Sequence, residues 1–186
     1  MILAKALAFE LQKMPAWAKN VLIVSASSIL IALFAKIAIP LPFSPVPIIM
    51  QDSVVLLLAV LLGPKRAVAA VGAFLMQGAL GFPVFAKGSG LLYFFGPTGG
   101  YLIGYLVAAL IVSTLIERMK SRTISSAVCA LLLGNVAVFF FGATWLSSFV
   151  GMRQAIVLGV VPFLLGNAIK TAMSAQILYW LGWGKR

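Results

Sequence analysis

Residues 81–105, GFPVFAKGSGLLYFFGPTGGYLIGY, interrupt a strongly apolar chain with seven glycines, two prolines and one cation, Lys87. Glycine is used where the backbone must adopt unusual torsion angles or approach another group closely. An irregular segment at membrane depth is tolerated only where it is buried in protein or lines a cavity. The stretch therefore predicts the wall or lid of a binding site. The alternative is an ordinary loop that joins two membrane-spanning helices.

The composition around this stretch is that of a membrane protein. Of the 186 residues, 63% are hydrophobic and 9% are charged, and the mean hydropathy is +1.14. Soluble domains carry about a quarter charged residues. We therefore predict an all-α integral membrane protein, in which residues 1–186 form one domain with about six spanning helices of roughly 20 residues each.

The inventory of reactive side chains argues against an enzyme. The sequence has no histidine, a single cysteine, and three acidic residues, Glu10, Asp52 and Glu117. Hydrolytic, zinc and paired-carboxylate chemistry therefore lack their usual groups, and we predict neither a metal site nor a cofactor in this chain. The sequence also lacks the nucleotide-binding pattern GxxxxGK[ST], so other subunits would have to use any ATP that drives transport.

Hydropathy divides an N-terminal segment from a six-helix bundle over residues 21–183. Residues 1–20 mix charges with apolar side chains and Trp17, which predicts an amphipathic helix on the membrane surface; a cleaved signal peptide is the alternative. Residues 40–50 contain four prolines and predict a stiff, extended connection, after which a re-entrant hairpin is an option. A short surface helix is predicted within residues 143–161. The predicted spans are residues 21–39, 54–62 (47–62 if the helix extends back), 67–80, 97–116, 123–142 and 162–183.

Basic residues are distributed as the positive-inside rule expects for six crossings. If both termini are cytoplasmic, ten of the 14 Lys and Arg residues lie inside; Lys87 and Arg153 lie outside, and Lys36 and Lys170 fall within spans. Topology thus explains the net charge of +11 without a nucleic-acid partner. The proline-rich loop, the glycine-rich loop and the start of the last span then share the outer side, where we predict the binding site.

Two polar side chains in the last span are candidates for ligand contacts. Lys170 is costly to bury at membrane depth, so it needs a partner or a water-filled cavity, and we expect an anion from outside to fill this role. An ion pair with Asp52, without a ligand role, is the alternative. Asn167 lies three residues earlier on the same helical face, and its amide can both donate and accept hydrogen bonds. Asn135, in the fifth span, is interpreted as an interhelical hydrogen-bonding residue.

Further candidates lie in the glycine-rich stretch and directly after it. The turn at residues 98–101 offers backbone N–H groups at a helix start, which favour a carboxylate. Phe85, Tyr93 and Tyr101 can supply the apolar walls that small-molecule sites usually have. The pattern as a whole predicts an amphipathic ligand that bears a carboxylate.

Three blocks of sequence, in this order, resemble the BioY family, the biotin-binding S component of energy-coupling factor (ECF) vitamin transporters. They are IPLPFSPVPIIMQ (residues 39–51), GFPVFAKGSG with GPTGGYLIGY (residues 81–90 and 96–105), and PFLLGNAIK (residues 162–170). The resemblance implies six spanning helices with cytoplasmic termini in a bacterial cell membrane, and biotin bound near the outer surface. It also implies a membrane scaffold (T) subunit and two ATPase (A) subunits as partners.

The resemblance also extends the list of expected contacts. Ser28, Ala32 and Ala35, the small face of the first span, become a surface for the scaffold subunit; on sequence alone, packing within this chain is the alternative. The substrate-binding residues expected from the patterns and the resemblance together are Gln51, Phe85, Gly88, Ser89, Gly90, Tyr93, Gly99, Tyr101, Asn167 and Lys170.

Two positions depart from the family pattern. The family usually has Asp where this chain has Asn167, and glycine is common where this chain has Lys87. We therefore expect either a ligand preference shifted toward a more anionic analogue or a weaker biotin site. The predicted function is capture of biotin from the extracytoplasmic side and its delivery with an ATP-driven ECF module. A solitary facilitator for biotin or a related carboxylate is the alternative.

Overall fold

The computed structural model describes residues 14–119 and 122–184. Within these residues the chain forms seven α-helices, one 3₁₀ helix and two short strands. In chain order they are α1 (Ala16–Ala35), β1 (Ala38–Ile39), β2 (Ile48–Ile49), α2 (Gln51–Leu62), α3 (Pro64–Ala79), the 3₁₀ helix (Leu91–Phe95), α4 (Gly99–Arg118), α5 (Ile124–Val150), α6 (Met152–Gly159) and α7 (Val161–Trp180).

The helices agree with the predicted helical membrane fold, although several boundaries differ. Helix α1 begins at Ala16, so residues 16–20 belong to the first long helix and not to a separate interfacial helix; residues 1–13 of that predicted element lie outside the described residues. Helix α5 continues to Val150, eight residues beyond its predicted end. The predicted short helix within residues 143–161 is α6.

Among the described residues, four helical stretches are long and apolar enough to cross a membrane: Ala16–Ala35, Gly99–Arg118, Ile124–Val150 and Met152–Trp180. Helix α2 is apolar but has only 12 residues. At 1.5 Å per residue it spans roughly 18 Å, less than the roughly 30 Å of a bilayer core. The number of crossings and the cytoplasmic location of the termini therefore stay predictions.

The proline-rich segment is held at one end of the bundle by a two-stranded antiparallel pairing. Ala38 pairs with Ile49, and Ile39 pairs with Ile48. The Ser44 hydroxyl donates a hydrogen bond to the Leu158 carbonyl at 2.8 Å, which ties the segment to α6. These contacts place the start of α2 at this end of the bundle.

The largest helix–helix interface joins α4 and α5. Glycines allow the two backbones to approach closely: a Cβ atom on Gly104 would lie 3.0 Å from the Val138 Cα atom, and one on Gly100 would lie 2.5 Å from the Phe141 carbonyl oxygen. Such close approach of small residues is how helices associate in lipid. Helix α4 is thus held closely against α5.

The predicted partner surface on α1 is wrong for two of its three residues. Ser28 and Ala35 are fully buried within this chain, and Ala32 is partly buried. The small side chains allow α1 to pack closely on the neighbouring helices, chiefly α3. The alternative, packing within the chain, describes this face. The exposed face of α1 carries Ser25 and Ala26 instead.

The loop between α3 and α4 folds back over the end of the bundle and is anchored by Phe85. The Phe85 ring is 1% exposed and occupies the space where a side chain on Gly78 would lie. It stacks on Tyr93 with ring centroids 4.7 Å apart. The Lys36 ammonium, at the end of α1, donates to the Phe85 carbonyl oxygen at 2.7 Å. The loop is therefore a packed lid and not a freely extended connection.

Candidate ligand-binding site

The start of α2, the lid loop, the start of α4, the middle of α5 and the first half of α7 enclose one cavity. It contains about 560 Å³ of space between atoms, partly continuous with the outside, but only about 40 Å³ of this space admits the centre of a water molecule. A small organic ligand therefore requires the lid or lining side chains to move outward. The lining residues are Val46, Pro47, Ile49, Gln51, Asp52, Phe85, Ala86, Tyr93, Thr98, Tyr101, Leu102, Tyr105, Val138, Phe139, Phe163, Asn167 and Lys170.

Lys170 points into this cavity region but is already neutralised by the chain itself. Its ammonium lies 3.0 Å from both carboxylate oxygens of Asp52 and donates to the Ile49 carbonyl oxygen at 2.7 Å. The two side chains are only 9% and 11% exposed. The counter-charge that was expected from an external anion is therefore supplied by Asp52, as in the alternative ion pair, and a ligand contact of Lys170 stays a prediction. Three acceptors already face the three N–H groups of the ammonium.

Asn167 presents a hydrogen-bond acceptor that has no partner. Its side chain is 6% exposed, and its Nδ2 donates to Asn135 Oδ1 at 3.0 Å. Its own Oδ1 is buried and has no hydrogen-bond partner in the described part of the chain. Buried polar atoms are normally satisfied, so an unpaired one beside a cavity is a candidate contact for a ligand or a water molecule.

Gln51 presents the complementary group. This side chain is 1% exposed at the first position of α2, and its Nε2 is buried with no hydrogen-bond partner among the described residues. The cavity is thus lined by one unpaired donor and one unpaired acceptor, from Gln51 and Asn167, beside a charge pair whose formal charges cancel. Such a set suits a neutral ligand group that carries both a C=O and an N–H.

Aromatic side chains form much of the remaining wall. The predicted Phe85, Tyr93 and Tyr101 line the cavity. The Tyr101 hydroxyl donates to the Gly159 carbonyl oxygen at 2.8 Å, so its polar end is already occupied. The sequence analysis missed Tyr105, although it lies one helical turn after Tyr101 on the same face of α4 and could have been found by that spacing.

The sequence analysis also missed other lining residues, for which the sequence contains no equally clear signal. Val138 and Phe139 come from the middle of α5, and Phe163 comes from the first turn of α7. In a chain that is 63% hydrophobic, such side chains do not stand out from those that face lipid. Only the folded arrangement identifies them as walls of the cavity.

Four predicted contacts lie outside the cavity lining and shape the lid instead. Gly88 and Gly90 have φ angles of +139° and +93°, which side chains rarely adopt, and Ser89 between them is exposed. Gly99 is buried where a Cβ atom would lie 1.8 Å from the Phe94 carbonyl oxygen. These residues allow the lid to turn and to pack on α4.

The start of α4 is less available to an anion than the sequence suggests. The Gly99 and Tyr101 N–H groups donate to the carbonyl oxygens of Gly96 and Thr98, at 3.0 and 3.1 Å. A carboxylate that bound to either of these two N–H groups would have to displace its bond. Lys170 is also paired within the chain, by Asp52, and the carboxylate contact stays a prediction.

Residues 6–182 match the BioY family. Similar relatives include a probable biotin transporter BioY of Pyrococcus horikoshii, 35% identical over 161 residues (86% of this chain and 94% of the relative), and a biotin transporter BioY of Thermotoga maritima, 38% identical over 144 residues (75% and 82%). Both relatives are described as transporters.

A solved structure supports the same assignment. The crystal structure of the S-component for biotin from an ECF-type ABC transporter superposes with a TM-score of 0.82 at 30% identity, covering 90% of this chain and 94% of the other. The chain therefore belongs to the BioY family.

Proposed function

We propose that this chain is the substrate-binding S component of an ECF-type biotin transporter in the plasma membrane. It binds biotin from the extracytoplasmic side and delivers it together with a membrane scaffold subunit and two ATPase subunits. The relatives described as biotin transporters and the similar S-component for biotin support this proposal. The charge distribution supports the orientation, because it favours a cytoplasmic location for both termini.

The observation that carries the proposal is the pair of unpaired amide atoms, Gln51 Nε2 and Asn167 Oδ1. The ureido ring of biotin has a C=O that can accept from Gln51 and an N–H that can donate to Asn167. Its fused sulfur ring and aliphatic chain suit the aromatic walls. The ureido ring is neutral, as is the sum of the Lys170 and Asp52 charges.

The carboxylate of biotin then extends toward the mouth of the cavity. A second carboxylate beside Asp52 would be repelled, whereas the ammonium of Lys87 is exposed on the lid next to Ala86, which lines the cavity. In this binding mode Lys170 holds Asp52 and the start of α2 in place, and the amides of Gln51 and Asn167 form hydrogen bonds with the ligand.

Calorimetric titration of the purified protein with biotin tests the proposal. The native chain should bind one biotin. Replacing either amide, in Gln51→Leu or Asn167→Leu, should weaken binding about tenfold or more, because a buried ligand group is left unsatisfied at a cost of about 1–3 kcal/mol. Gln176→Leu, an amide on the exposed face of α7, is the matched control and should bind like the native chain. Absence of biotin binding by the native chain would refute the proposal.

Coupling to an ECF module is a separate test. The chain should restore biotin uptake in biotin-auxotrophic cells when it is expressed with scaffold and ATPase subunits. Uptake of equal rate without these subunits would support a solitary facilitator instead.

A further inference from the structure

We infer that Asn135 is a positioning residue that determines which end of the Asn167 amide faces the ligand. The inference rests on the proposed function, because it concerns whether Asn167 meets biotin as a hydrogen-bond acceptor or as a donor. Asn135 lies on α5, is 8% exposed and is outside the cavity lining. It acts through Asn167 on α7, with which it shares a 3.0 Å hydrogen bond.

The orientation of the Asn135 amide is fixed by a backbone carbonyl group, which can accept a hydrogen bond but cannot donate one. Asn135 Nδ2 lies 3.1 Å from the Leu131 carbonyl oxygen, one turn earlier in α5. A carbonyl oxygen can only accept, so the Asn135 atom that faces it must be the nitrogen. The oxygen of the same amide must then face α7.

The same reasoning continues to the cavity. Because Asn135 Oδ1 can only accept, the Asn167 atom that faces it must be Nδ2, a donor. The remaining atom, Asn167 Oδ1, is therefore the one left buried and unpaired beside the cavity. Without these bonds the Asn167 amide can rotate by half a turn and present its N–H group to the cavity instead. That donor would face the N–H donor of the ligand, and no hydrogen bond could form between them.

Thr171 provides a matched control within the same cluster. Its hydroxyl lies 3.2 Å from Asn135 Nδ2, but a hydroxyl can donate or accept and so does not determine the polarity. Thr171→Val should therefore change biotin affinity by less than about twofold.

The test compares removal of Asn135 in two backgrounds. In the native chain, Asn135→Leu should weaken biotin binding about five- to tenfold, the factor that corresponds to one net hydrogen bond. In an Asn167→Asp chain, both carboxylate oxygens are acceptors, so the ligand meets an acceptor in either orientation, and one oxygen faces Asn135 Oδ1, which also only accepts. Asn135→Leu should therefore not weaken binding in this background. Asn135→Ala, which adds no bulk, serves as a second variant if the leucine disturbs folding.

Circular dichroism and thermal unfolding in detergent identify the variants that keep the fold. Equal losses of affinity in the two backgrounds would show a merely structural role and overturn the inference, as would native-like affinity of both Asn135 variants in the native background. A native chain that binds no biotin would overturn the proposed function together with the inference, and this outcome is distinct from the other two.

Discussion

The ion pair between Lys170 and Asp52 gives a quantitative prediction for stability. The charges are 3.0 Å apart and about nine-tenths buried. At an effective dielectric constant of about 20 their attraction is roughly 5.5 kcal/mol, which offsets the cost of removing both from water. Lys170→Met should cost about 3–5 kcal/mol because it leaves a buried carboxylate without its cation. In a chain of this length that corresponds to a decrease of about 6–20 °C in the midpoint of thermal unfolding.

The double variant Lys170→Met/Asp52→Leu distinguishes pairing from a general loss of packing. It removes both charges and fills their place with apolar side chains, so it should be more stable than either single variant. Thermal unfolding in mild detergent, followed by circular dichroism, measures the stability of the native chain, the two single variants and the double variant, which together form a double-mutant cycle. The reasoning is refuted if the two single effects simply add in the double variant, or if Lys170→Met unfolds at the native temperature.

Further predictions concern the lid and the outer face of α1. Gly78→Ala should destabilise the protein by about 1–3 kcal/mol and weaken biotin binding, because the new methyl group would lie 2.0 Å from the Phe85 ring; unfolding curves and calorimetry would measure both. Lys36→Met should speed biotin dissociation about tenfold in stopped-flow experiments, since it removes a charged hydrogen bond to the lid; an unchanged rate would contradict this role. Ala26→Leu, on the exposed face of α1, should reduce ECF-dependent uptake but not biotin binding. Ser28→Leu, on the buried face, should instead lower the unfolding temperature.

The long helices could be predicted from the sequence because a bilayer requires long apolar segments. Helix α5 was predicted too short, since residues 143–150 mix Trp145 and two serines with apolar side chains and resemble a surface segment. Trp145 stays helical and donates its ring N–H to the Gly96 carbonyl oxygen at 3.0 Å. Such a tertiary contact leaves no local pattern in the sequence.

Contacts between residues that are distant in sequence also limited what could be predicted about the site. Lys170, Asn167 and Gln51 are conspicuous as polar residues in an apolar chain, and the structure brings all three to one cavity. The partner of Lys170 is 118 residues away, so the sequence could offer Asp52 only as one alternative. The orientation of the Asn167 amide depends on bonds between two helices. The interhelical role predicted for Asn135 is confirmed.

A comparison of three ligands on the native protein by calorimetry determines which end of the ligand the buried site recognises. Biotin and its methyl ester share the ureido ring, whereas lipoate has a carboxylate and a sulfur ring but no ureido group. If Gln51 and Asn167 read the ureido ring beside a neutralised Lys170, the ester should bind within about tenfold of biotin and lipoate should show no measurable binding. Binding of lipoate together with loss of the ester would show that the site recognises a carboxylate and not the ureido ring, and would contradict this binding mode.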